Sequence, residues 1–313
     1  MGAADMRIVV LGSAAGGGFP QWNSNGPGCR RARSGDPTAK PRTQSSIAVS
    51  ADGERWMLLN ASPDLRLQIE ATPVLHPRHG VRHSPIAAVM PTNADIDHVT
   101  GLLTLREAHP FAVYATRRVH DVLAANSVFN VLNRDLVERR VVSLGEPFRP
   151  ADRSGAPLGL ELEAFAVPGK VALYLEDETA ANIGSVAEDT VALRISEPGS
   201  DKALFYIPGC ASMPGWLADR LTGADTVFFD GTTWTDDEMA RAGAGTKTAQ
   251  RMGHMCMDGP DGSIAAFAGL GVKRRIFIHI NNTNPVLLED TAQRRQANAA
   301  GWDIAYDGME ETL

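Results

Sequence analysis

An α/β fold is the class that this 313-residue sequence predicts, and three observations predict it. Short β-branched runs alternate with helix-like segments along the chain, which is the pattern of interleaved strands and helices rather than of separate all-α and all-β parts. Hydrophobic residues make up 43% of the chain, enough for a substantial core. The apolar runs are short: those at 8–12 and 203–207 fall far below the ~18 residues that a membrane span needs.

Taken in order, strands are expected at 6–12, 46–50, 56–60, 86–90, 111–115, 161–167, 190–195, 203–207, 226–229 and 275–280. Met1-Gly2-Ala3-Ala4 leads into the first strand with no basic start and no cleavable apolar region, which places the chain in the cytoplasm. The glycine-rich loop from Gly12 to Pro20 lacks both the G-x-G-x-x-G spacing and the Lys-Ser/Thr of a phosphate loop, so it reads as a permissive turn or a close backbone approach to substrate. Helix starts are expected at Ser62-Pro63, where an N-cap serine precedes a proline at the first helical position, and at Asp97, Thr116, Met213 and Asn284-Pro285. A helix-like stretch covers 99–107. The segment 145–158 carries three prolines and two glycines and reads as a connection inside one domain spanning 1–313.

Charge and cysteine usage exclude several functions. The net charge of -7 argues against nucleic-acid binding, where phosphate neutralisation supplies most of the affinity. Arg30, Arg31 and Arg33 form the clearest basic cluster and read as a solvated loop or as a contact for an acidic substrate. Cys29, Cys210 and Cys256 are widely spaced and odd in number, which fits a reducing compartment without a disulfide framework. There is no G-x-S-x-G elbow and no Cys-x-x-Cys pair, so serine hydrolysis and dithiol redox chemistry have no support.

The chemistry points to a metal. Asp95-Ile96-Asp97-His98 sets two carboxylates and an imidazole where an apolar strand hands over to a helix, and close carboxylates repel unless a cation or proton intervenes. Oxygen and nitrogen donors suit iron, manganese or zinc. In Ile276-Phe277-Ile278-His279-Ile280 the period of two puts the isoleucines on one face and His279 with Phe277 on the other, and the Asn281-Asn282-Thr283-Asn284 turn that follows could orient the imidazole. Each residue has a plainer reading too: Asp97 as a helix cap, His279 as a structural histidine, Asp230 as a turn aspartate after the apolar strand 226–229. His254, in Gly253-His254-Met255-Cys256-Met257, could shuttle a proton or touch substrate. His76, His79, His83, His109 and His120 read as surface or structural.

Read in order, these residues resemble the metallo-β-lactamase superfamily, whose strand-end motif is H-x-H-x-D-H. Here it stands as Asn93-Ala94-Asp95-Ile96-Asp97-His98, so Asn93 and Asp95 replace the first two histidines while Asp97, His98 and His279 keep the second metal position. More narrowly, the segments 9–23, 60–66, 92–98, 253–255 and 279–285 resemble the coenzyme PQQ synthesis protein B family over nearly the whole chain. One departure is Asn23-Ser24-Asn25-Gly26-Pro27-Gly28-Cys29, which keeps one thiolate where the family carries three, so a structural zinc with its four closed ligands is not expected.

The resemblance implies an αβ/βα sandwich of two mixed β-sheets flanked by helices and a role in making pyrroloquinoline quinone (PQQ) from a peptide-derived precursor containing Glu and Tyr. The expected activity is iron(II)- and O2-dependent hydroxylation of the tyrosine ring, with Asp97, His98 and His279 as metal ligands. His254, Asp230 and Asp95 are the catalytic candidates, and Asn93, Arg66 and Asn281 the substrate contacts. The alternatives are a zinc-dependent hydrolase and a non-catalytic carrier that moves PQQ or its precursor toward the periplasm, although a chain without a span offers no transport pathway. Other PQQ-biosynthesis proteins and a second copy of the chain complete the expected partners.

Overall fold

The computed structural model describes residues 5–177, 179–180 and 184–313, so the opening residues 1–4 lie outside it. Strands β1 (Arg7–Gly12), β2 (Ser46–Ser50), β3 (Trp56–Leu59), β4 (Ile86–Met90), β5 (Phe111–Ala115) and β6 (Val137–Val141) build one sheet. Strands β7 (Glu161–Ala166), β8 (Val191–Ser196), β9 (Leu204–Ile207), β10 (Thr226–Asp230), β11 (Arg274–Ile278) and β12 (Trp302–Ile304) build the other, and β13 (Glu310–Thr312) returns to pair with β1. Both sheets are mixed. In the first, β1 to β3 pair antiparallel and β3 to β6 parallel; in the second, β7 to β9 pair antiparallel and β9 to β12 parallel.

Alternation along the strands divides the apolar residues into three layers. Ile8 and Val10 of β1 meet Leu204 and Tyr206 of β9 and Phe228 of β10 in the core between the sheets. Val9 and Leu11 face the opposite way, onto helices α2 (Leu65–Ala71) and α4 (Arg117–Ala125). Val227, Phe229 and Phe277 likewise leave the central core and pack with α5 (Gly215–Leu221) and α8 (Ala292–Ala299). The result is the helix–sheet–sheet–helix sandwich expected from the sequence.

Several expected boundaries move, each for a local reason. The third strand stops at Leu59 because Asn60 turns left-handed, φ 66°. Ser62 does not cap a helix at Pro63; its hydroxyl accepts the Asp64 N–H, and the helix starts at Leu65. Thr116 does cap its helix, accepting the Val119 N–H. The start expected at Met213 falls at Gly215, and Asn284 caps only a short 3₁₀ turn, Pro285–Leu287. Only Ile96–Val99 (α3) is α-helical in the stretch after the Asp-His motif, and Thr100–Arg106 continues as a 3₁₀ helix. Gly101 explains that tightening. A Cβ there would sit 2.3 Å from the Ser62 carbonyl oxygen, so the turn can press onto the 61–62 backbone.

The basic cluster is a correction. Arg30, Arg31 and Arg33 belong to helix α1 (Pro27–Arg33), not to a loop. Arg31 pairs with Asp36 at 2.6 Å and with Asp290 at 2.8 Å, while Arg33 donates to the carbonyls of Ser24 and Gln21. Arg30 and Arg33 staple the 21–25 segment, and none of the three arginines lines the cavity that holds the candidate ligands.

Candidate metal centre

The carboxyl ends of the parallel strands β4, β9, β10 and β11 surround a cavity of about 280 Å³, the place where open α/β sheets leave loops free to bind ligands. From β4 the chain turns through Thr92 and Asn93 into α3. The Asn93 side-chain oxygen accepts the Asp95 N–H at 2.9 Å, and the Asp95 carbonyl accepts the His98 and Val99 N–H groups. Asp95 is thus the residue at the N-cap position, and the capping reading of Asp97 fails. The His98 carbonyl in turn accepts the Ala61 N–H at 2.8 Å, so the close approach at Gly101 also positions this histidine.

His279 reaches the same point by a different route than alternation suggests. Strand β11 ends at Ile278, and His279 itself is left-handed, φ 59°. That conformation is uncommon for a non-glycine residue and persists only where surroundings hold it. Here Ile280 provides the hold, pairing with the loop after β1 through Ile280 N–H to Ser13 O and Ala15 N–H to Ile280 O. The three isoleucines therefore do not share a face: Ile276 and Ile278 enter the central core, whereas Ile280 joins Phe277 outside it. The kink brings the His279 Nε2 to 3.1 Å from the Asp97 Oδ2, which lies 3.7 Å from His98 Nε2.

Two overlapping donor groups share His279, namely Asp97–His98–His279 and Asp230–His254–His279. Hydrogen bonding separates them. In the second group Asp230 is fully buried, with Oδ1 accepting from the Thr232 N–H and hydroxyl and Oδ2 accepting from the Cys210 N–H and His254 Nδ1. Thr232 Oγ1 also lies 2.9 Å from His279 Nδ1. With the hydroxyl proton given to Asp230, that nitrogen is the donor, which leaves Nε2 as the coordinating atom of a neutral ring. This second group is a hydrogen-bonded support.

The first group has unspent donors. His98 Nε2 is buried without any hydrogen-bond partner, while its Nδ1 contacts Thr92 Oγ1 at 3.4 Å. Thr92 is fixed in turn by the side-chain oxygen of the left-handed Asn60, which accepts its N–H at 2.8 Å. An orphaned imidazole nitrogen beside a carboxylate and a second imidazole fits a divalent cation with mixed N/O preference. Burial holds the His98 imidazole below its ordinary pKa, which favours the neutral, ligating form. Burial alone would raise Asp97, but the neighbouring His98 and His279 hold it well below the carboxylate range. For His279, burial lowers the pKa, and the hydrogen bond and charge of Asp97 outweigh it, so the net shift is upward. Cys210 offers no thiolate here, because burial pushes it up to about 12.

Of the other sequence candidates, Asn93, Asp95, His254 and Asn281 line the cavity. Asp95 spends one oxygen on the Leu173 N–H, and Asn281 donates to Thr283. Gly16, from the glycine-rich loop, lies against Asp97. Arg66 is not brought there: it sits exposed on α2, outside the lining. Sequence reasoning missed Thr92 and Thr232, whose only signal was a hydroxyl residue beside each strand end, and it missed Lys170 and Lys247 on the cavity wall.

Comparisons with known proteins identify the family and the fold. Residues 55–280 match the model of the β-lactamase superfamily domain. The chain is 56% identical over 304 residues to coenzyme PQQ synthesis protein B of Methylobacterium nodulans, covering 97% of this chain and 99% of that one. It is 54% identical over 305 residues to the Gluconacetobacter diazotrophicus protein of the same name, again covering 97% and 99%. The crystal structure of zinc-bound PqqB from Methylobacterium extorquens superposes with a TM-score of 0.93 at 53% identity, over 98% of this chain and 100% of that one. A diphosphatase of the PhnP family, at 20% identity and a TM-score of 0.67 over 98% and 97% of the two chains, shares the fold. The chain belongs to the coenzyme PQQ synthesis protein B family, on the metallo-β-lactamase fold.

Proposed function

We propose that this protein acts in PQQ biosynthesis as an iron(II)-dependent oxygenase that hydroxylates the tyrosine ring of a Glu- and Tyr-containing, peptide-derived precursor. One observation carries the reading: an Asp97–His98–His279 set with both imidazoles buried and the His98 Nε2 unpartnered, at a position where the superfamily's other metal histidines are replaced by Asn93 and Asp95. Two imidazoles and one carboxylate are the donor set of oxygen-using iron enzymes, and three protein ligands leave positions for oxygen and substrate. Iron(II), when bound, would supply the activation of dioxygen that ring hydroxylation requires. Balance requires two electrons from an external donor and two protons for each oxygen atom inserted, the second oxygen leaving as water.

The chain's own residues would prepare the ring. Asp230 fixes His254 through Nδ1 at 2.6 Å, so the remaining nitrogen, Nε2, is the base that would take the phenolic proton. Thr232 and Thr92 hold the two ligating imidazoles in orientation. Asn93 and Asn281 add neutral polar groups at the cavity wall. The test is anaerobic reconstitution with iron(II), addition of a reductant and oxygen, and mass spectrometry of a Glu-Tyr substrate. Oxygen-containing product supports the reading, and a fully iron-loaded protein that adds no oxygen defeats it.

A zinc hydrolase is the second reading, favoured by the zinc in the Methylobacterium extorquens relative. It predicts zinc-dependent cleavage of an ester, amide or phosphodiester without oxygen uptake.

A further inference from the structure

Among the described residues, Lys170, Arg251 and Lys247 gather around the buried carboxylate of Glu176 beside the cavity. Lys170 Nζ lies 2.7 Å from Glu176 Oε1, Arg251 Nη2 lies 3.0 Å from Oε2, and Lys247 Nζ stands 3.7 Å from Oε2. Glu176 has a side chain only 6% exposed. Burial would raise its pKa, but hydrogen bonds from Lys170 and Arg251 hold it at about 2, so it stays ionised. Lys170 and Arg251 alone occupy both of its oxygens. Lys247, at 3.7 Å, is near enough for attraction but beyond hydrogen-bond reach; it lines the cavity with its side chain 43% exposed and carries three donors.

Both lysines line the cavity that holds Asp97, His98, His254 and His279. The Lys170 stem is packed over Gly253, next to His254, where a Cβ would come within 2.8 Å of Lys170 Cγ. At about 280 Å³ the cavity is small for a ligand site, so an anion held at this wall keeps the rest of a small substrate within reach of the ligand cluster. We propose that Lys170 and Lys247 form a carboxylate-binding subsite that grips an acidic group of the substrate while its aromatic ring faces Asp97, His98 and His279. The subsite rests on the reading that the cavity receives an amino-acid-derived acid, and it takes the role that sequence reasoning gave to Arg66.

Calorimetric binding to zinc-loaded protein under anaerobic conditions tests it, with glutamyl-tyrosine and the neutral analogue glutaminyl-tyrosine amide as the two probes. The parent protein should bind the acidic peptide more tightly. Lys170→Met and Lys247→Met should each weaken that binding about tenfold, the worth of one charge-assisted contact, and leave the neutral analogue unaffected. A merely structural ion pair would instead lower stability and change both affinities alike. Equal binding of the two probes by the parent protein, no binding of either, or equal losses for both in the variants overturns the subsite. Lys247 is exposed enough that its variant should fold even where Lys170→Met does not. With oxygen excluded and zinc in place of iron, the outcome does not depend on whether oxygen insertion occurs.

Discussion

At the scale of single residues, each imidazole of the candidate centre turns its Nδ1 to a threonine and its Nε2 toward Asp97, at 3.1 Å for His279 and 3.7 Å for His98. Thr232→Val removes the acceptor for His279 Nδ1 and one donor to Asp230, while preserving shape. Metal affinity should fall about 10–100-fold, the usual cost of losing an orienting partner, and a competitive chelator titration measures it. Unchanged affinity would show that His279 is held by its backbone turn alone. His98→Ala should abolish stoichiometric metal; because the buried ring also contacts Thr92, a urea titration that still shows a cooperative transition separates lost metal binding from unfolding. Asp97, His98 and His279 stood out in the sequence because acidic and imidazole side chains at the ends of apolar strands have few other uses, and the fold brings their donor atoms within 4.8 Å of one another. The geometry of His279 was not legible there: period-two alternation cannot anticipate a left-handed residue fixed by pairing with a loop some 265 residues earlier. Lys170 was equally hidden: its partner Glu176 follows a short 3₁₀ turn, Leu173–Leu175, that no hydrophobic period marks.

At the scale of elements, the inner strands of the two sheets were readable to within a residue or two, because β-branched runs with both faces buried leave a strong signal. Strands β6, β12 and β13 were missed. The first reads Val-Glu-Arg-Arg-Val and lies half exposed at a sheet edge, the last is Glu-Glu-Thr, and the other is three residues long. Edge strands tolerate charge, so their sequences carry little hydrophobic period. Helix α1 was hidden by the Gly26-Pro27-Gly28 start, which reads as a turn. The α3 turn offers a direct test. Gly101→Ala must displace backbone at Ala61 and Ser62, and should destabilise the fold by about 1–3 kcal/mol in urea titration, with weaker metal binding because His98 is tied to Ala61. A neutral effect would mean that this approach is not tight.

At the scale of the whole molecule, two sheets share one core, and large side chains such as Phe228, fully buried between them, hold the strand ends in register around the cavity. Phe228→Ala should cost about 3–5 kcal/mol. A pH dependence follows from Glu238, which burial pushes up to about 7 against hydrogen bonds from Thr283 and Trp234. A carboxyl raised in the folded state binds its proton more tightly there than in the unfolded chain. Its contribution is therefore complete below its ordinary value of 4.5 and is lost as pH rises to about 7. Glu238→Gln should flatten that part of the stability–pH curve, and an unchanged slope would locate the titration elsewhere. No helix among the described residues is long and apolar enough to cross a membrane.

The most direct test of the proposed chemistry is turnover of a Glu-Tyr peptide by the iron-loaded protein under isotopically labelled dioxygen, read by mass spectrometry. Iron-dependent oxygenation predicts label from the gas on the tyrosine ring, lost in Asp97→Ala and His279→Ala. Unmodified substrate from fully iron-loaded protein, or label that enters only from water, would contradict it.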